Sequence, residues 1–185
     1  MKPSVSISRR GPSLNTSTSR HSTGITSRGC WALAVAYDEE RVRRFISEIL
    51  KARARLAELQ ALPQEEFLQD HHKIGSAKYH FIVAIEAAID LCHHLISKNR
   101  FRAPEDYADT FRVLGEARAF SPDFIPQLIQ MAKFRNRLVH LYWEVDDAEL
   151  YRILRENLSD LDRFLAEVGR FLSLALEQGP SREAE

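Results

Sequence analysis

From Asp38 onward, apolar residues recur every three or four positions, the spacing that lines one face of an α-helix. Val42, Phe45, Ile46, Ile49, Leu56 and Leu59 mark a first helix, with Asp38 as its N-cap and Glu39 and Glu40 in its positive first turn. Pro63 ends that helix, because proline lacks the N–H that continuation requires. A second run carries Ile74, Ala77, Phe81, Ile82, Ile85, Ile89, Cys92, Leu95 and Ile96, and fades at Asn99-Arg100. A shorter helix is expected over Glu105–Ala117, with Tyr107, Phe111 and Leu114 inward. Ser121-Pro122-Asp123 reads as a start signal, Ser as N-cap and Pro at the first helical position. The helix it opens carries Phe124, Leu128, Met131, Leu138 and Val139, and is expected to run to about Trp143. The last helix starts near Asp146 or Asp147 and carries Leu150, Ile153, Leu154, Leu158, Leu161, Phe164, Leu165, Val168, Phe171, Leu172 and Ala175, before Gly179-Pro180.

No stretch alternates with the two-residue period of a strand for long enough to argue a sheet. The pattern describes an all-α fold, an antiparallel four- to five-helix bundle. Three of its helices would be about 25–30 residues, or ~40 Å, long. The final helix is apolar over a wide arc, which places it either at the centre of the bundle or in a dimer interface.

Composition separates a tail from this body. Residues 1–29 contain eight Ser, four Thr, five basic residues and no acid. So little apolar surface cannot offset the entropy of ordering, and residues 1–36 are expected to be a disordered tail. Its arginines Arg9, Arg10, Arg20 and Arg28 could hold RNA by charge, its composition resembles a transit peptide, and a start at Val35 would remove it altogether. The helical domain is expected over 37–178, followed by a short disordered segment, 179–185.

The whole chain has 26 basic and 26 acidic residues, a formal net charge of zero. That sum combines a tail of +5 with a body of 21 bases and 26 acids. An acidic body cannot attract nucleic acid with its whole surface and would have to use a local patch. No apolar run approaches the ~20 residues of a bilayer span, so no membrane partner is expected and the reading is of a cytoplasmic protein. Cys30 and Cys92 are too few for a disulfide framework or a cysteine-rich zinc site.

Seven histidines invite metal readings. His71-His72 and His93-His94 are adjacent pairs, and neighbours on a helix point about 100° apart. A helical zinc site wants His at i and i+4, and no such pair of histidines is present, so no metal site is expected. His93 and His94 are expected to flank the core with their rings half wet.

The segment Lys133–Trp143 is different. Lys133, Arg135, Arg137, Asn136, His140 and Tyr142 crowd the end of an otherwise packed helix. Arg135-Asn136-x-x-x-His140 followed by x-Tyr142 resembles the signature of the HEPN superfamily, and specifically of the HepT-like toxin ribonucleases. Helix order, the apolar stretch before the motif and the acidic opening Val145-Asp146-Asp147 match that layout over roughly residues 38–176.

The resemblance implies the toxin of a type II-like toxin–antitoxin pair: a metal-independent endoribonuclease, without cofactor, acting on RNA as a homodimer whose motifs face each other across a cleft. Arg135, Asn136 and His140 would be catalytic, and Lys133 and Arg137 would bind RNA. An imidazole exchanges its proton near neutral pH and can act as base or acid. A guanidinium fork matches phosphate oxygens. Asn136 and His140 lie about 40° apart on one helix face, but Arg135 and His140 lie about 140° apart. One straight helix would not aim both at one phosphate. The implied partner is an MNT-type nucleotidyltransferase antitoxin that adds AMP to Tyr142. The alternative is a non-catalytic helical scaffold or substrate-binding subunit of a nucleotidyltransferase, which needs an apolar docking face but not the motif.

Overall fold

The computed structural model describes residues 35–177, which form seven α-helices and a 3-10 turn: α1 Glu39–Gln60, α2 Gln64–Leu68, α3 His71–Asn99, α4 Tyr107–Glu116, α5 Ile125–His140, α6 Asp147–Glu156 and α7 Ser159–Glu177. The expectations for the Ser-rich tail up to residue 34 and for 179–185 lie outside the described residues. The fold is an all-α bundle, as the periodicity predicts.

Asp38 caps α1, its side chain accepting from the Arg41 N–H, and Glu39 and Glu40 sit in the first turn. Just before it, the chain is tied to the far end of α3. The Ala36 N–H donates to Asn99 Oδ1 at 2.8 Å, and Asn99 Nδ2 returns a bond to the Ala36 carbonyl at 2.9 Å. Asp70 caps α3 through the N–H groups of His72 and Lys73, so α3 begins one turn earlier than its first apolar residue suggests.

The centre of the bundle is α3, not the last helix. It packs against α1, α2, α4, α5 and α6. Ile74, Ala77, Phe81, Ala84, Ile85, Ala88, Ile89, Leu91, Cys92 and Leu95 are all buried along it. Among the described residues, α3 alone is long and apolar enough to cross a membrane by length and composition, but most of it is buried inside this bundle. No unbroken apolar run marks this helix in the sequence, because Glu86 and Asp90 interrupt it.

Two expected long helices are shorter. The start at Ser121 is displaced: Ser121 gives its N–H and hydroxyl to Glu167 at 2.7 and 2.6 Å, and a turn carries the chain to Ile125. Pro126, not Pro122, occupies the first turn of α5, where a missing N–H costs nothing. The final helix is two, α6 and α7, broken at Asn157-Leu158. Gln60 Nε2 donates to the carbonyls of Leu154 and Arg155, and Arg155 donates to the Gln60 carbonyl, so the end of α1 satisfies the end of α6. The five-residue α2 went unseen because one turn has no period; it exists to bury Phe67, whose ring packs 5.3 Å from that of Tyr151.

Helix α5 reaches its place through a close approach to α4. A Cβ on Gly115 would lie 2.4 Å from Ile125 Cδ1, so only glycine lets the two helices meet without moving Ile125. Leu128, Ala132, Phe134 and Leu138 then lock α5 into the core, with the Phe134 ring edge-on to Phe81 at 5.4 Å.

Candidate active site

The motif occupies the last turns of α5. The helix ends at His140, where Leu141 leaves helical geometry (φ −131°, ψ 38°) while its N–H still bonds the Arg137 carbonyl. Tyr142–Glu144 form a 3-10 turn, closed by the Glu144 N–H on the Leu141 carbonyl at 2.8 Å. The expected helix to Trp143 is therefore three residues shorter, and the break falls immediately after the motif histidine. His140 is exposed at this end, with Val139, Leu141 and Trp143 forming an exposed apolar rim around it.

Arg135 points toward α3 and α4. Its side chain is only 12% exposed, and Nε donates to Glu86 Oε2 at 2.6 Å. The guanidinium carbon lies 5.0 Å from the centre of the Tyr107 ring, a cation–π contact. Nη1 donates to Asn136 Oδ1 at 3.3 Å. Behind Tyr107 lies His93, rings 6.2 Å apart, with His93 Nε2 3.0 Å from Thr110 Oγ1. Asp90, one turn on from Glu86, has its carboxyl pushed up by burial and by the neighbouring Glu86 charge.

Arg137 leaves the opposite side of α5, as a two-residue offset of about 200° requires. It makes a two-pronged bond to Glu149 on α6, at 2.8 and 2.7 Å, and this fork lowers the Glu149 carboxyl below its ordinary range. Exposed Lys133 joins Arg137 along a cleft of about 610 Å³ floored by Phe81, Ile85, Met131 and Ile153. The structure therefore brings Arg135 and Asn136 together, places His140 at the helix end, and sets Lys133 and Arg137 on a separate cleft rather than in one patch with Arg135. Tyr142 opens the 3-10 turn two residues beyond His140.

Glu86, Tyr107 and Glu149 were not singled out from sequence. Glu86 left a signal: it is an acid inside the apolar stretch Ile85-Glu86-Ala87-Ala88-Ile89, and such a residue requires a partner. The adjacent histidines do diverge. His93 turns to Thr110, whereas His94 is buried, not half wet, because it accepts the Asp38 N–H at Nε2, 2.9 Å away. Among the described residues no three His, Cys, Asp or Glu side chains cluster as metal ligands would. Cys92 is a free, buried thiol pushed far up by burial.

Residues 49–168 match the family model described as ribonuclease HepT-like. Over 93 residues the chain is 26% identical to the tRNA nuclease HepT of Aphanizomenon flos-aquae, a stretch covering 50% of this chain and 63% of that protein. The chain thus spans less than two thirds of that relative's length. It is 24% identical over 100 residues to the mRNA nuclease HepT of Shewanella oneidensis, covering 54% of this chain and 75% of that one. Among solved structures, the tri-AMPylated Shewanella oneidensis HEPN toxin in complex with MNT antitoxin aligns with a TM-score of 0.67 at 20% identity, over 72% of this chain and 99% of the other. That likeness is one of fold.

Proposed function

The chain belongs to the ribonuclease HepT-like family, and on that premise we propose that it is the RNA-cutting toxin of a toxin–antitoxin pair, a metal-independent endoribonuclease using Arg135, Asn136 and His140. The observation that carries this reading is the end of α5. Among the described residues, a mostly buried guanidinium sits beside Asn136 with part of its donor fork unspent, and an exposed imidazole occupies the last helical residue.

The chemistry needs no metal. A base takes the ribose 2′-OH proton, and the 2′ oxygen attacks phosphorus. The 5′ oxygen leaves with a proton from an acid, so the strand ends as a 2′,3′-cyclic phosphate and a 5′-hydroxyl. Arg135 stabilises the charge that builds on the phosphorane oxygens. His140 supplies the proton transfers, and because each chain has one motif histidine, a homodimer supplies both base and acid. Mixed dimers of wild-type and His140→Ala chains test this: a site that needs both histidines predicts that they are as inactive as His140→Ala, whereas half the wild-type activity would show that each chain cuts alone. Lys133 and Arg137 contact RNA along their cleft.

The partner is an MNT-type nucleotidyltransferase antitoxin that modifies Tyr142. The tyrosine oxygen attacks the α-phosphate of ATP, AMP is attached, and pyrophosphate leaves. Each AMP adds a negative phosphodiester beside a site that must attract phosphate, so charge and bulk inhibit together. The apolar rim of Val139, Leu141 and Trp143 supports a protein partner at this end of the bundle. Intact mass after co-expression should rise by AMP units, and Tyr142→Phe should abolish the increase.

Expression of the chain alone should arrest growth and degrade RNA, in EDTA as well as without it in vitro, and His140→Ala should abolish both. Toxicity that survives His140→Ala would sink the catalytic reading in favour of a non-catalytic subunit of a nucleotidyltransferase.

A further inference from the structure

We propose that Glu86, on a different helix from the motif, is a positioning residue for RNA cleavage: it fixes the Arg135 guanidinium on the Tyr107 ring so that the Nη1/Nη2 edge meets the scissile phosphate. The proposal rests on the ribonuclease reading above.

Arginine has five N–H donors in one rigid plane. Glu86 takes the one on Nε, the donor nearest the backbone, at 2.6 Å. That bond sets the rotation of the guanidinium plane. The Tyr107 ring, 5.0 Å from the guanidinium carbon, sets which face is covered. Asn136 Oδ1 takes one Nη1 proton at 3.3 Å. Among the described residues, the rest of the terminal edge has no acceptor, and that edge is the one a phosphate engages with two parallel bonds. Tyr107 is itself held, as the first residue of α4 behind an Asp106 cap and with the His93 ring centre 6.2 Å from its own.

Glu86 is costly where it stands. It interrupts the apolar stretch of the central helix, and its negative charge, with Asp90 four residues on, opposes the approach of a phosphate. An acid in that place weakens RNA binding while ordering the group that stabilises the transition state. The two effects have opposite signs in kinetics. Loss of Glu86 should lower kcat and leave KM unchanged or lower, a split that a scaffold residue would not produce.

The test uses the full chain on bulk bacterial RNA, with apparent kcat and KM from initial rates. The 15N–1H signal of Arg135 Nε is followed in parallel, assigned by its disappearance in Arg135→Lys. Glu86→Ala should lower kcat about a hundredfold, the scale of an ångström of misplacement, and the Nε signal should lose its hydrogen-bonded shift. Glu86→Gln keeps the shape and an acceptor, and should recover to within about tenfold of wild type. Should Glu86→Ala fail to fold by circular dichroism, Tyr107→Leu carries the same test: kcat should fall about a hundredfold with KM unchanged, and a wild-type kcat in it would overturn the positioning role. Wild-type kcat in Glu86→Ala, a rise in kcat, or an unmoved Nε signal would overturn the positioning role while leaving the nuclease intact. No cleavage by the wild-type chain would instead remove the ribonuclease reading and this proposal with it.

Discussion

Arg102 and Arg135 are the same residue in similar company, each held by carboxylates where helices meet, yet they spend their donors differently. Arg102 gives Nε, Nη1 and Nη2 to two carboxylates, reaching Asp109 at 2.6 and 3.0 Å and Glu116 at 2.9 Å. Asp109 is held far below the ordinary carboxylate range, first by that guanidinium and next by the Glu105 N–H. Arg135 gives Nε to one carboxylate, Nη1 to an amide, and its face to a ring. Arg102 spends four of its five donors in tying a loop to α4 and, among the described residues, keeps one. A half-spent arginine, ordered but not satisfied, keeps donors for a phosphate, which is the role proposed for Arg135. The distinction lies in donor accounting and in burial, the Arg135 side chain being 12% exposed and that of Arg102 43%, not in residue type.

The largest expected effect separates the two directly. Arg135→Ala should cost about 10²–10³ in kcat per folded molecule, the scale of removing one transition-state donor. Arg102→Ala should lower Tm and leave kcat per folded molecule near wild type. Rates on purified, folded protein at matched temperature check this. If Arg102→Ala loses as much activity as Arg135→Ala, donor accounting does not distinguish site from scaffold in this fold.

Acid should undo the scaffold arginine first. Asp109 and Glu116 are both lowered, with the Arg102 bonds the leading cause in each. Their stabilisation is present above the unfolded carboxylate range of about 4 and is lost as pH falls through the lowered folded values. Thermal melts from pH 6 downward should show this loss, and Asp109→Asn should flatten it while lowering Tm at neutral pH.

A gentler pH dependence comes from the entry to α1. His94 accepts a backbone N–H, and burial, followed by Lys98 and Arg41, lowers its affinity for a proton. Its stabilisation is complete above the unfolded value of about 6.5 and is lost as pH falls below it. His94→Gln retains an acceptor without a titrating ring, so its Tm should vary less between pH 7 and 5 than that of wild type. Equal pH dependence in the two would show that His94 does not couple the α1 entry to pH.

How far the sequence reached depends on the length over which each signal repeats. Helices α1 and α3 were legible because Val42 to Leu56 and Ile74 to Ile96 repeat over many turns. The breaks were harder. The periodicity of α6 runs in phase into α7, and Asn157 with Ser159-Asp160, a local stop and start, was outvoted by it. Ser121 looked like a cap because its type and neighbours suit one, but a tertiary acceptor, Glu167, claimed it. At the site, motif order singles out Arg135, Asn136 and His140 as candidates, and leaves open whether one helix could present them. It could not supply Glu86 or Tyr107, which are 49 and 28 residues from Arg135 and meet it only through the packing of α3, α4 and α5.

The smallest expected effect concerns the third arginine. Arg137 is bound by both prongs to Glu149, but the pair is 36% and 29% exposed, so solvent screens it and its worth to stability is at most about 1 kcal/mol. The pair faces the cleft that also holds Lys133 and Arg152, which makes Glu149 a like charge opposing any RNA phosphate there. Glu149→Gln, made in a His140→Ala background so that RNA is not consumed, should leave Tm nearly unchanged. It should raise RNA affinity a few-fold at low salt, with the salt dependence steeper by about one released counterion. An affinity and salt slope identical to the parent would mean that no RNA phosphate reaches Arg137. Arg137 would then join Arg102 as a structural ion pair, leaving Arg135 as the one of these three arginines whose unspent donors serve the proposed cleavage.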